Sequence, residues 1–86
     1  MKQYYGDYKH KGFVINFSEY DQSWRLEPTL ELIGEETDEA LDFTCEYNNS
    51  YSEEFRTINQ AKKYIDKNYK ELIKEIKDLY NDFKED

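Results

Sequence analysis

Residues 57–86 read TINQAKKYIDKNYKELIKEIKDLYNDFKED, and this run decides the architecture. Apolar side chains recur at Ile58, Ala61, Ile65, Tyr69, Leu72, Ile76, Leu79 and Phe83. Their mean step is about 3.6 residues, the period of a straight amphipathic helix and not the roughly 3.5 of a coiled coil. Thr57 and Gln60 have capping-box spacing, in which a hydroxyl and an amide satisfy N–H groups that the first turn leaves free. Neither Gly nor Pro interrupts the run. At about 1.5 Å per residue the helix is about 40 Å long, more than a small sheet needs. Its end, with Leu79, Tyr80 and Phe83, is expected to project past the sheet as a candidate self-association seam.

Upstream, the hydrophobic period changes to two. Between Lys11 and Tyr20, Phe13, Ile15 and Phe17 alternate with Val14, Asn16 and Ser18, the pattern of a half-buried strand. Asp21 to Ser23 reads as a turn. Trp24, Leu26, Leu30 and Leu32 then share one parity with Pro28, which fits either one long strand with an edge proline or two short strands with a bulge. Gly34 to Glu39 reads as an acidic turn. Ala40 to Tyr47 alternates again, with Leu41, Phe43, Cys45 and Tyr47 on one side. Asn48 to Ser50 is a further turn, and Tyr51 to Phe55 is a candidate short strand. Tyr4, Tyr5 and Tyr8 read either as the first arm of a hairpin or as an ordered lead-in.

The expected fold is therefore α+β: a three- to four-stranded antiparallel sheet with one long C-terminal helix packed on one face. One domain spans residues 1–86, with a sheet part over 1–56 and the helix over 57–86. The helix should cover Phe13, Ile15, Phe17, Trp24, Leu26, Leu41 and Phe43. The opposite sheet face would then present Glu27, Glu31, Asp42 and Glu46, about 6.6 Å apart along a strand and about 4.8 Å between strands. Glu35, Glu36, Asp38 and Glu39 would extend this array at the turn.

The charge is as uneven as the hydropathy. Net charge is −8, yet residues 57–86 carry seven acids and seven lysines and are neutral. Residues 1–56 hold thirteen acids against five bases, the whole surplus. From 26 to 55 there are ten acids and no Lys or Arg. Such a block normally reads as a disordered tail, but Leu30, Leu32, Ile33, Leu41, Phe43, Tyr47 and Tyr51 thread through it. Fifteen aromatic rings in 86 residues also argue for a folded domain. A folded surface of one sign repels nucleic acid and attracts basic surfaces.

Catalytic equipment is sparse. Nucleophilic catalysis needs a nucleophile with a positioned base, and the chain has one Cys and one His. Cys45 is expected in the core and His10 in a loop. No Cys/His cluster has zinc spacing. Residues 35–39 match a calcium loop only in charge, lacking its Asp/Asn alternation, central Gly and terminal Glu. The three glycines are isolated and form no phosphate loop. The expectation is a non-enzymatic protein with no cofactor and no metal. A single cysteine, no apolar leader and no long apolar span make the cytoplasm the default location, with no membrane contact.

The junction Phe55-x-Thr57-Ile58-x-x-Ala61-Lys62-x-x-Ile65-Asp66, after alternating segments containing Gly12-Phe13 and Trp24, resembles a pattern common in small phage and prophage proteins. There a β-β-β unit runs into a helix. Size, acidity and an A- and T-rich coding bias are also similar to phage anti-CRISPR proteins, several of which imitate DNA. That resemblance implies binding to a basic, nucleic-acid-binding host protein such as an RNA-guided nuclease, in the host bacterial cytoplasm, without direct contact with nucleic acid. The candidate contact residues are Glu27, Glu31, Glu35, Glu36, Asp38, Asp42 and Glu46, with Tyr20 or Tyr51 as aromatic anchors. The alternative is a structural or assembly module, monomeric or homodimeric, associating through Leu79, Tyr80 and Phe83.

Overall fold

A two-residue hairpin starts the fold. Lys11 (φ 52°) and Gly12 (φ 86°) both lie in the left-handed region, as a type I′ turn requires, and His10 pairs directly with Phe13 across it. The computed structural model describes residues 7–85. Strands β1 (Tyr8–His10), β2 (Phe13–Ser18), β3 (Ser23–Pro28) and β4 (Glu54–Phe55) form one antiparallel sheet in chain order. Tyr8 thus belongs to the hairpin's first arm, while Tyr4 and Tyr5 lie outside the described residues.

The β2–β3 register sets Phe13 opposite Pro28, Ile15 opposite Leu26 and Phe17 opposite Trp24, all on one face. Phe13, Ile15, Leu26 and Pro28 are fully buried there. Trp24 takes Phe17 (5.2 Å between centroids) and Tyr8 (6.1 Å) edge-on at the margin of the core.

Two segments expected as strand are helical. The chain leaves β3 at Pro28, and Thr29 caps a single helical turn, α1 (Leu30–Ile33), with Gly34 closing it at φ 90°. Pro28 ends the ladder because the chain turns away, so no edge proline or bulge is needed. Thr29 also ties α1 to the hairpin: its N–H and hydroxyl both donate to the Gly12 carbonyl, at 3.1 and 2.8 Å.

Ala40 to Tyr47 lies in α2 (Asp38–Glu46) and the single π-helical turn that follows it, Tyr47–Tyr51. This stretch fits both periods. Leu41, Phe43, Cys45 and Tyr47 alternate, but Ala40, Phe43, Thr44 and Tyr47 have helical i, i+3, i+4, i+7 spacing. The helical set is the buried one, while Leu41 is 52% exposed and Cys45 is exposed. Local chemistry tips the balance. The Thr37 hydroxyl accepts from the Ala40 N–H at 3.0 Å, and Asp38 and Glu39 complement the dipole of the first turn.

Helix α3 (Ile58–Lys84) opens on Thr57, whose hydroxyl accepts from the Gln60 N–H at 3.1 Å. The Gln60 side chain accepts in return from the Arg56 N–H, one residue ahead of the cap. A kink falls at Asn68 (φ −115°, ψ 22°), where its side-chain amide donates to the Tyr64 carbonyl at 3.0 Å and intrudes on the helical ladder. Before the kink α3 lies on the sheet: Tyr64 meets Phe55, and Asp66 meets His10 and Lys11. Beyond it, Tyr80 and Phe83 pack on Phe43 at 5.2 and 5.5 Å between centroids. The C-terminal half of the helix is thus roofed by α1 and α2 and does not project. Its length serves two layers.

Candidate interaction surface

The acids are positioned by helix caps more than by sheet alternation. With Ala40, Phe43, Thr44 and Tyr47 turned inward, α2 exposes Asp38, Glu39, Asp42 and Glu46. Asp38, Asp42 and Glu46 follow one another at four-residue steps, about 6 Å of rise each, along one slowly drifting line. Glu36 is exposed just ahead of it. Asp42 and Glu46, expected on the outer sheet face, therefore sit on a helical layer instead.

The remaining expected contacts are dispersed. Glu27 does occupy the outer sheet face, but it is half-buried and accepts from the Asn16 amide at 3.3 Å. Burial pushes its carboxyl above the usual range, opposed by that hydrogen bond and reinforced by Asp7. Glu31 is exposed on α1, in a groove with Lys11, Tyr69 and Lys77. Glu35 turns onto α3, accepting from the Tyr80 hydroxyl at 2.6 Å and from Lys84 Nζ at 3.3 Å. The Tyr80 hydrogen bond, then that from Lys84, holds Glu35 below the usual carboxylate range, and Glu35 in turn raises the Tyr80 phenol. Tyr20 is 96% exposed, but on the β2–β3 turn and not beside α2.

Of the proposed association seam, Tyr80 is buried. It is held by Glu35 and Phe43 and cannot serve as an external contact. Leu79 and Phe83 are half-buried and take a different place. They join Phe43, Glu46, Tyr51 and Asp82 around a groove of about 340 Å³ where α3 meets α2 and the π turn. Two sets of residues kept separate in the sequence thus share one depression. Tyr51 is 50% exposed at its rim, with its ring 6.1 Å from that of Tyr47.

Arg25 is a structural centre that neither hydropathy nor spacing revealed. Its side chain is 12% exposed. Nε and Nη2 donate to Asp21 at 3.1 and 2.7 Å, and Nη2 also donates to Glu54 at 2.9 Å. Nη1 donates to the carbonyls of Asn48 and Asn49 at 3.0 and 3.2 Å, satisfying acceptors of the π turn. Asn48 adds hydrogen bonds to Asn16 and to the Leu26 carbonyl, both at 3.1 Å. The only available signal was that Arg25 is the sole base between Lys11 and Arg56. Asp66 is a further paired acid, held below the usual range by Lys11 first and His10 next. His10 is therefore engaged on β1, while Cys45 stands on the outer surface of α2.

The fold and this surface define a small α+β domain whose helical roof carries a run of acids without ion pairs among the described residues. No family model matches the chain, no curated protein matches its sequence, and no solved structure matches its fold. Among the described residues, no helix is long and apolar enough to cross a membrane.

Proposed function

We propose that this protein binds a basic, nucleic-acid-binding protein through the α1–α2 layer and occupies the surface that nucleic acid would use. A single observation carries the proposal. Asp38, Glu39, Asp42 and Glu46 are exposed on a capped helix, and no Lys or Arg occurs from residue 26 to 55 to neutralise them. Clustered carboxylates repel one another, and a surface cation would relieve that cost. The Lys and Arg side chains that form ion pairs among the described residues do so elsewhere: Arg25 on Asp21 and Glu54, Lys11 on Asp66, Lys84 on Glu35. A single-signed field on a folded helix speeds encounter with a positive partner and rejects nucleic acid itself.

An RNA-guided nuclease of the host is the favoured partner, acting as target of a DNA-imitating inhibitor of the anti-CRISPR kind. The test is affinity capture from a bacterial lysate, followed by elution with duplex DNA. The proposal expects bound proteins that are basic, released by DNA and weakened by raising salt. Recovery of only neutral or acidic proteins, unmoved by DNA, counts against it. Charge removal at Asp38, Glu39 and Asp42 should abolish capture without unfolding the chain.

A further inference from the structure

The groove between α2, the π turn and α3 has a composition that the acidic stripe alone does not. Its walls are aromatic and aliphatic, from Phe43, Tyr51, Phe83 and Leu79, and its polar residues are Glu46 and Asp82. Among the described residues neither Glu46 nor Asp82 has a cationic partner within ion-pair distance. The nearest candidate by sequence, Lys84, is drawn away: its ammonium lies over the Tyr80 ring, 4.7 Å from the centroid, and on Glu35. Glu46 is oriented by the Ser50 hydroxyl, which donates to it at 3.1 Å. The Phe43–Phe83 pair fixes one wall.

Rings supply a negative π face, carboxylates supply charge-assisted acceptors, and Leu79 supplies surface for an aliphatic stem. That combination suits a cation on a long apolar stem. Of the two such side chains, arginine fits better, because a planar guanidinium stacks on rings and presents its donors as a fork to more than one carboxylate. We infer that this groove is the anchor pocket for an arginine side chain of a basic protein partner, seated against Tyr51 and Phe83 and hydrogen-bonded to Glu46 and Asp82. The inference rests on the proposed function for the partner's basic character and adds the specific point at which it is gripped.

The full chain would be titrated at low ionic strength with a Gly-Arg repeat peptide, with Lys and citrulline versions as controls. Aromatic NMR resonances report the site and anisotropy reports affinity. The Arg peptide should move Tyr51 and Phe83 saturably, bind more tightly than the Lys peptide, and lose all binding on replacement by citrulline. Glu46→Gln with Asp82→Asn should weaken it about tenfold, the effect of two directed charge contacts in a partly wet site. The charge-matched pair Glu19→Gln with Glu71→Gln, both exposed and outside the α1–α2 layer, should weaken it less than about threefold through the long-range field alone. Tyr51→Ala should erase the preference for Arg over Lys.

Equal losses from the two charge-matched pairs, or equal binding of Lys and Arg peptides, would overturn the anchor pocket. So would the same aromatic resonances shifting with protein concentration alone, because a second copy would then be the occupant. The two readings fail separately. DNA-releasable capture that ignores Glu46→Gln and Asp82→Asn removes the pocket and leaves the acidic layer; a seated Arg peptide without such capture does the reverse.

Discussion

Replacing Arg25 by Ala should be among the most damaging changes outside the apolar core. The substitution removes five hydrogen bonds that join the β2–β3 turn, β4 and the π turn. Their contributions differ. Asp21 and Glu54 are partly exposed (29% and 53%), so each ion pair contributes at most about 1 kcal/mol. The Asn49 carbonyl is exposed and can turn to water, but that of Asn48 lies in a partly buried setting. An orphaned acceptor of that kind costs about 1 kcal/mol or more. Lost packing of the stem brings the total to about 2–3 kcal/mol. Eighty-six residues have a stability of about 4–13 kcal/mol, so this loss is a large fraction of the whole. The melting temperature should fall by about 10–20 °C. Urea unfolding followed by circular dichroism and by Trp24 fluorescence measures it. Arg25→Lys should recover less than half, because an ammonium cannot reach both carboxylates and the two carbonyls together. A loss below about 0.5 kcal/mol for Arg25→Ala, the range of ordinary surface changes, would falsify the role assigned to this residue.

Other expectations follow from local geometry. Gly12→Ala should cost about 1–3 kcal/mol in the same unfolding assay, because φ is 86° and a Cβ would approach Leu32 Cδ1 at 2.7 Å. Thr37→Ala should cost about 1 kcal/mol and reduce helical signal, since it frees the Ala40 N–H at the start of α2. Glu35 and Asp66 have folded pKa values below their ordinary ones, so the stability they add is present above those ordinary values. It is lost as pH falls through the lowered ones, and a chain with Glu35→Gln and Asp66→Asn should show a flatter acid limb between neutral pH and strong acid. Glu27 has the opposite sign: its raised pKa means the ionised form burdens the fold at neutral pH. Glu27→Gln should therefore stabilise at pH 7, with the gain vanishing in acid.

Where one signal dominated, the chain was legible. Helix α3 (Ile58–Lys84) and the strands around Phe13–Phe17 and Trp24–Leu26 each had a single period with matching caps or turns, and the α+β class followed from them. Ala40–Tyr47 was misleading because eight residues satisfy both periods, and only burial separates Leu41 from Thr44. Thr29 and Thr37 carried the missing information. Each precedes an apolar segment at N-cap position, as Thr57 does, and Thr37 is followed by two acids that favour a first helical turn. The candidate surface was less accessible. Which acids are free depends on where Arg25, Lys11 and Lys84 reach, and long side chains crossing between elements leave no periodic trace. The meeting of Tyr51 with Phe83 likewise depends on a helix folding back over α3.

The break at Asn68 has a dynamic meaning. An uninterrupted α3 would couple every turn through one continuous ladder, so that fraying beneath the roof spread toward the sheet. With Asn68 out of helical geometry and its side chain bonded to the Tyr64 carbonyl, cooperativity should be cut at the boundary between the two packing neighbours. Amides after Asn68, together with those of α1 and α2, should exchange as one group, earlier than amides at Ala61 and Ile65. On this reading the roofed half of the molecule should open locally while the β-sheet half keeps its shape.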